Sequence, residues 1–174
     1  PKLPLWGCHC PTIHIVHDVF DLTHPLYRNK LRTIFDRWRL IRGLRRADLT
    51  WFVSRSTFEE TKKLISFTGN RWEIRFSGVE GIFNDRTDPG DEDVLSSLNL
   101  KAGYIVVIGN GKPHKNLGVI IACAASVRRE VVFAGVSPEN RLYWGAPPMG
   151  ARIRWLDCVA DEALPALLRN AFCL

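Results

Sequence analysis

Short apolar runs alternate with segments of helical periodicity along most of the chain. Each run is rich in β-branched or aromatic residues, which is typical of buried strands. The runs are residues 13–17, 49–53, 72–76, 104–108, 131–134 and 153–156. Strands that alternate with helices form parallel sheets and place ligands at the carboxyl ends of the strands. The pattern therefore predicts an α/β fold.

The helices between these runs are predicted from apolar spacing and from capping residues. Ser56 and Glu59 have the Ser-x-x-Glu spacing of a capping box, which predicts a helix from there to about residue 68. Ser137 followed by Pro138 predicts an N-cap with proline at the first helical position. Further helices are expected at 94–98, at 116–127 and after Asp161.

Residues 26–46 are predicted to form a basic amphipathic helix. They hold eight lysines and arginines and one acid, Asp36, a net charge of +7 in a chain whose formal net charge is +6. Apolar residues recur at helical spacing, and we expect this stripe to pack on the protein's own sheet. The stripe consists of Leu31, Ile34, Phe35, Trp38 and Ile41.

The arginines of this helix are expected to attract anions. An anionic membrane surface, an acidic acceptor and nucleic acid are the alternatives that such a helix suggests. Contact with an acidic lipid or acceptor is expected at Arg32, Arg39, Arg42 and Arg46.

Composition excludes several classes. A chain of 174 residues with 46% hydrophobic and 24% charged residues is globular, and it lacks an apolar run long enough to span a membrane or a signal peptide. Five scattered cysteines favour a reducing cytoplasm over a disulfide framework. Cys8-His9-Cys10 lacks a second Cys/His pair, so no metal site is expected.

The segment 109–116 carries the strongest chemical signal. Gly109-Asn-Gly111 ends a buried strand, and a helix carrying Lys115 is predicted to follow, an arrangement that places backbone N–H groups and a cation where a phosphate can sit. It is not a Walker loop, since Val106 and Pro113 stand at required positions, and His114 replaces the third glycine of a dinucleotide fingerprint. The alternative is an ordinary turn with a solvated lysine.

Residues 81–102 are predicted to be a linker. They are polar and acidic, with a run from Asp88 to Asp93, and the strand–helix pattern restarts after them. The chain is thus divided into a domain at 1–80, this linker and a domain at 103–174.

An ordered series of motifs resembles the glycosyltransferases of family 4. His17-Asp18 after a strand, Pro25, Arg46-Ala47-Asp48 before a strand closing on Ser54, and Phe76-Ser-Gly-Val79 are similar to the second half of their N-terminal domain. The start of their C-terminal, donor-binding domain is similar to a second series: 104–109, Lys112-Pro-His-Lys-Asn116, Phe133-Ala-Gly135, 153–156 and 161–171.

This resemblance implies a GT-B architecture, with parts of two Rossmann-like parallel-sheet domains. Members transfer a sugar with retention from a nucleoside-diphosphate sugar, without a metal or other cofactor. Lys115 matches the lysine facing the donor diphosphate, and Gly109, Gly111, Lys112 and Asn116 belong to the same diphosphate-binding loop. The family commonly has an arginine before this lysine, and here Asn110 and Lys112 occupy that part of the loop. Two alternatives stay open: Lys112 substitutes for the arginine, or the second cation is lost.

On the acceptor side, the resemblance gives His17 a catalytic position in the cleft, with Asp18 and Ser54 nearby. Two other interpretations stay open: His17 can be a core histidine satisfied by Asp18 or by backbone, and Asp18 can cap the following segment. His14, within the same strand, is expected to pack in the core.

The expected substrates follow from the resemblance. The donor is a GDP-mannose-like or UDP-sugar, and the acceptor is a saccharide or lipid-linked saccharide in cell-surface polysaccharide synthesis. The protein is expected in the cytoplasm or peripherally at the inner face of the plasma membrane, and nucleic acid is not expected as a partner.

The family's first Gly-rich loop and its Glu-x7-Glu segment do not occur in this sequence, so the chain alone is expected to be inactive. The alternatives are a catalytically inert nucleotide-sugar-binding or membrane-docking module and, less favoured, a nucleic-acid-binding protein that uses residues 26–46.

Overall fold

Two compact units make up the chain in the computed structural model, Pro1–Val79 and Glu80–Leu174. The structure describes residues 10–24, 30–66 and 71–174. Each unit contains one sheet of parallel strands together with helices. The two sheets confirm the predicted α/β class. The segment 81–102, predicted to be a linker, falls inside the second unit.

The first unit is built on three strands in chain order, β1–β2–β3. Ile13 lies opposite Leu49, and Leu49 lies opposite Arg71. The elements are β1 (Ile13–Val16), α1 (Phe20–Thr23), α2 (Lys30–Arg46), β2 (Leu49–Phe52), α3 (Arg55–Leu64) and β3 (Arg71–Ile74). Their core is formed by Val16, Val19, Leu44, Phe52, Phe58 and Ile65.

Side-chain hydrogen bonds fix the ends of β1. Before the strand, the backbone N–H of Thr12 donates to Asp48 Oδ2 at 2.7 Å, which lowers the pKa of that carboxyl. After it, Thr57 Oγ1 donates to the carbonyl of His17 at 3.0 Å. The second bond ties the carboxyl end of β1 to helix α3, next to residues with predicted chemistry.

The second unit holds four parallel strands in the order β6–β5–β4–β7. The strands are β4 (Tyr104–Ile108), β5 (Val131–Ala134), β6 (Ile153–Leu156) and β7 (Ala171–Cys173). The helices are α4 (Asp91–Ser97), α5 (Leu117–Cys123), α6 (Pro138–Trp144) and α7 (Leu164–Arg169). Single 3₁₀ turns occupy Pro113–Lys115, Ala124–Ser126 and Asp161–Ala163.

Helix α4 is part of the second unit's core. Leu95 packs in a cluster with Tyr104 and Leu167. The Tyr104 hydroxyl donates to the Leu167 carbonyl at 2.7 Å, and burial raises the pKa of that phenol to about 12. Arg169 Nε donates to Asp91 at 2.9 Å, and this pairing lowers the pKa of the Asp91 carboxyl. The predicted linker is therefore anchored by burial and by an ion pair.

The strands β4, β5 and β6 coincide with their predicted ranges, whereas several other features differ. The capping box was wrong, because Ser54 rather than Ser56 caps α3, its Oγ accepting from the Thr57 N–H at 3.0 Å. Strand β7 was not predicted. The N-cap at Ser137 is confirmed. The predicted features at Cys8, His9, Pro25 and residues 26–29 and 67–70 lie outside the described residues.

The predicted packing face of α2 was wrong for four of its five residues. Leu31, Ile34, Phe35 and Trp38 are 81%, 67%, 54% and 46% exposed. Ile41, the fifth residue of the predicted stripe, does pack against the core, together with Leu40 and Leu44. On the same side of α2, the backbone of Gly43 packs closely against the His14 ring. A Cβ atom added at Gly43 would lie 2.4 Å from His14 Cε1. Small residues, rather than the largest apolar ones, set the approach of this helix.

No helix within residues 10–24, 30–66 and 71–174 combines the length and apolar character that a membrane span requires.

The close approach of α2 to His14 predicts that Gly43→Ala destabilises the first unit. The added methyl group would lie within 3 Å of three atoms of a buried ring. Overpacking of this kind costs about 1–3 kcal/mol, more than the roughly 1 kcal/mol that alanine gains in helix propensity. Urea unfolding measures the difference.

The matched test is the same change in a His14→Ala background. There Gly43→Ala should cost less, because the clashing ring is absent and the two substitutions are coupled. A Gly43→Ala variant as stable as wild type would contradict the packing described.

Candidate functional site

The predicted phosphate loop lies at the carboxyl end of β4. The Gly109 N–H donates to the Ala134 carbonyl at 3.0 Å, which holds the loop's start beside the end of β5. Gly111 has φ of +72°, and a Cβ there would lie 2.6 Å from Val136 Cγ1, so the turn requires glycine. A 3₁₀ turn at Pro113–Lys115 and a left-handed Asn116 then lead into α5.

Several N–H groups of the loop that were predicted to bind a phosphate donate instead to acceptors within the loop. The N–H of Lys112 donates to Asn110 Oδ1 at 3.2 Å, and that of Lys115 donates to the Lys112 carbonyl at 2.9 Å. The N–H of Asn116 donates to the Pro113 carbonyl. The intervening 3₁₀ turn explains this correction, because the predicted strand-to-helix junction is not direct. Within the described residues, the Gly111 N–H has no hydrogen-bond acceptor.

Two side chains of α6 donate hydrogen bonds to carbonyls of the loop at residues 109–116. Asn140 Nδ2 donates to the Asn110 carbonyl at 2.6 Å, and Trp144 Nε1 donates to the Gly111 carbonyl at 2.8 Å. The Trp144 ring also packs against Gly118 at the start of α5. Neither residue was predicted from the sequence, in which the local signal was the Ser137-Pro138 start of the helix that carries them.

The loop is electropositive. Lys112 and Lys115 are both exposed. Among the salt bridges of the described residues, none involves either ammonium group. Two exposed cations without a carboxylate partner, in the loop that contains Gly111, form an arrangement that favours an anion with more than one charge.

A cavity of about 390 Å³ in the first unit brings together four of the residues predicted for the acceptor side. They are His17, Asp18, Arg32 and Arg39, and His14, Asp21 and Asp36 also line it. His17 is exposed, so it is not a core histidine. Asp18 Oδ1 accepts from the Phe20 N–H at 3.0 Å, so its side chain binds the first N–H of α1, whose N-cap position is Val19.

Opposite charges alternate along the cavity wall. Arg32 lies 3.6 Å from Asp21 and 3.4 Å from Asp36, and Arg39 lies 4.0 Å from Asp36. Arg32 and Asp21 are largely exposed, so their ion pair adds little to stability, whereas Asp36 and Arg39 are half-buried. These groups are suited to binding a ligand with several hydroxyls. The guanidinium groups can donate hydrogen bonds to the hydroxyls, and the neighbouring carboxylates can accept hydrogen bonds from them.

His14 forms the buried end of this cavity. It is 3% exposed, and its Nδ1 has no hydrogen-bond partner among the described residues. Burial lowers the pKa of His14 to about 4, so the ring is neutral at pH 7. The expectation that His14 packs in the core is confirmed.

The other predicted residues lie elsewhere. Ser54 is joined to His17 through Thr57, which hydrogen-bonds to both residues. Arg42 and Arg46 do not line the cavity. Within the parts of the chain that the structure describes, no three His, Cys, Asp or Glu side chains come together as a metal site requires. The predicted site residues therefore form two groups, one in each unit.

Comparison with known proteins gives a match in structure and none in sequence. No protein-family description matches the chain, and no curated protein matches it. Sucrose-phosphate synthase from Thermosynechococcus elongatus is similar in structure, with a TM-score of 0.69 and 18% sequence identity, over 92% of this chain and 43% of that one.

That enzyme is a glycosyltransferase of the GT-B fold. At this identity the likeness shows the fold: the chain has the parallel α/β sheets of a GT-B glycosyltransferase. The chain spans less than half the length of the similar structure.

The contacts of α6 predict that Trp144→Phe loosens the loop at residues 109–116. The substitution keeps an aromatic ring against Gly118 and removes the donor to the Gly111 carbonyl. A hydrogen bond of this kind is worth about 1 kcal/mol, so the amides of Lys112 and Lys115 should exchange hydrogen roughly fivefold faster.

Tyr143→Phe is the matched control, since Tyr143 is exposed on the same helix. Tyr143→Phe should leave the exchange of the Lys112 and Lys115 amides unchanged. Neither Tyr143→Phe nor Trp144→Phe should change the exchange of the β4 amides. Equal exchange in wild type and Trp144→Phe would show that Trp144 does not hold the loop.

Proposed function

We propose that the protein is a glycosyltransferase whose second unit binds a nucleoside-diphosphate sugar and whose first unit binds the acceptor. The observation that carries the proposal is the loop of Gly109–Asn116, with Lys112 and Lys115, in a chain with the fold of a GT-B glycosyltransferase. The acceptor is a saccharide or lipid-linked saccharide, and the transfer retains the configuration of the sugar.

Sheet topology supports the donor site. Strand β4 lies between β5, which follows it in the chain, and β7, which the chain reaches from β6, so the strand order reverses between β4 and β7. In open α/β sheets, ligands bind in the crevice at such a switch point, outside the carboxyl ends of the strands. The loop that follows β4 occupies that position. Its two cations and the Gly111 N–H suit a diphosphate better than a neutral group.

The chemistry of sugar transfer gives these cations a role. The bond between the anomeric carbon and the diphosphate breaks, and its electrons leave with the nucleoside diphosphate, while the acceptor oxygen bonds to the sugar and releases its proton. Fixed cations can stabilise the developing negative charge where no metal does so. Lys115 is the residue we assign to that role, with Lys112 beside it. No metal or organic cofactor is part of this proposal.

The cavity of the first unit suits an acceptor with several hydroxyls. Its wall offers donors at Arg32 and Arg39 and acceptors at Asp21 and Asp36. His17 is exposed at the carboxyl end of β1, where α/β enzymes place reactive groups. We assign His17 the catalytic role on the acceptor side, and Asp18 and Ser54 the support of that end of the strand.

We propose a narrower class of donor sugar than the fold alone indicates. We favour a GDP-mannose-like donor, with UDP-sugars as the second choice, and an acceptor in cell-surface polysaccharide synthesis on the cytoplasmic side of the membrane. These choices rest on the family 4 resemblance of the sequence motifs.

The test is nucleotide binding by Lys115→Ala. We expect wild type to bind GDP or UDP, and the substitution to weaken binding about tenfold to a hundredfold, because a hydrogen bond to a charged group contributes roughly 1.5–3 kcal/mol. Isothermal titration calorimetry gives the dissociation constants. Lys101→Ala is the matched control, since Lys101 is exposed in the same unit at the opposite end of β4.

Equal binding by wild type and Lys115→Ala, or no binding of either nucleotide, would contradict the donor site. Labelled donor then separates a transferase from an inert binding module. Label that appears on a saccharide acceptor supports transfer and contradicts the inert module.

A further inference from the structure

Helix α2 carries an apolar surface that neither the core nor the cavity uses. Leu31, Ile34, Phe35 and Trp38 lie at the i, i+3, i+4 and i+7 positions of one face, here called the outer face of α2, and each is between 46% and 81% exposed. The opposite side packs in the core through Leu40 and Leu44. The outer face of α2 is therefore an exposed apolar surface that does not pack in the core of the first unit.

Arginines accompany the aromatic residues on this face. Phe35 and Trp38 are stacked with ring centroids 6.0 Å apart. The guanidinium of Arg39 lies 5.6 Å from the Phe35 centroid, and that of Arg42 lies 5.6 Å from the Trp38 centroid. The last turn continues with Arg45 and Arg46, both exposed. Each exposed ring thus has a cation beside it.

We propose that the outer face of α2 docks the protein on an anionic lipid surface. An amphipathic helix with aromatic and aliphatic side chains on one face and arginines beside them lies in the membrane interface, with the apolar groups among the acyl chains and the cations at the headgroups. The positive charge of α2 complements the phosphates of anionic lipids.

The composition of the face separates this occupant from nucleic acid. A nucleic-acid interface is polar and gains its affinity from phosphate contacts. Exposed Leu31 and Ile34 contribute little to such contacts, but they contribute directly to insertion between lipids. The proposal does not depend on sugar transfer, although a docked first unit would meet a lipid-linked acceptor at the bilayer surface.

The experiment is co-sedimentation of the full chain with phosphatidylcholine vesicles, with and without phosphatidylglycerol. Wild type should bind the anionic vesicles and not the neutral ones, and binding should fall at about 1 M salt, where the Debye length is about 3 Å. The double variant Phe35→Ser, Trp38→Ser should bind at least about tenfold more weakly.

Two further variants sharpen the result. Arg42→Glu with Arg46→Glu should abolish the preference for anionic vesicles while leaving the apolar residues in place. Leu142→Ser with Tyr143→Ser is the matched control, because these residues are exposed on α6 in the second unit, and it should bind like wild type. Circular dichroism checks that each variant is folded.

Other occupants of the face have distinct signatures. A wild-type dimer that becomes monomeric in Phe35→Ser, Trp38→Ser, or salt-dependent DNA binding that the variant loses, would overturn the proposal. Equal vesicle binding by wild type and this variant, or binding to neutral vesicles alone, would also overturn it. Because none of these measurements uses a nucleotide, failure here is distinguishable from failure of the glycosyltransferase proposal.

Discussion

Parallel pairing of β4 with β5 on one side and β7 on the other is the constraint on which the second unit depends. It aligns the carboxyl ends of the strands at one edge, so the loops that follow them are brought together there. Gly109 bonds to the end of β5, and this contact directs the chain into the glycine turn at Gly111. The position of Lys112 and Lys115 is therefore a consequence of strand pairing.

Strand order alone does not make the loop rigid. Asn140 and Trp144, some thirty residues farther along the chain, bond to two successive carbonyls of the loop. With these carbonyls fixed, the chain is held in place at Gly111, and Lys112 and Lys115 next to it remain exposed. In the first unit, β1 has a comparable role, since its end carries His17 and is held by Thr57 of α3. Both groups of candidate residues thus depend on hydrogen bonds from a neighbouring helix.

The sequence predicted the buried strands well for a simple physical reason. A strand covered on both faces, such as β4 or β5, is a continuous run of β-branched and aromatic residues and contrasts with its polar flanks. Strand β7 has three residues, two of them exposed, and gives no such contrast. The packing side of α2 was not predicted correctly, because periodicity identifies the largest apolar stripe, whereas burial here follows the small residues Gly43 and Ala47.

The candidate site was predicted where its residues are neighbours in sequence and missed where they are not. The loop at Gly109–Asn116 was recognised from its glycines and lysines. The hydrogen bonds that its N–H groups make within the loop were not predicted. They result from the 3₁₀ turn at Pro113–Lys115, which the presence of Pro113 alone does not specify. The cavity of the first unit joins β1, α1 and α2, and no spacing rule connects His17 with Arg39. Tertiary structure supplies that information.

Chemical-shift mapping of the second unit during titration with GDP or UDP tests the central claim most directly, namely that this loop holds a diphosphate. The account predicts the largest amide shifts at Gly111 and its neighbours in Gly109–Asn116, with smaller shifts along α6 through Asn140 and Trp144, and none near Lys101. Shifts confined to the amino ends of the strands, or saturation without any change at Gly111, would contradict it.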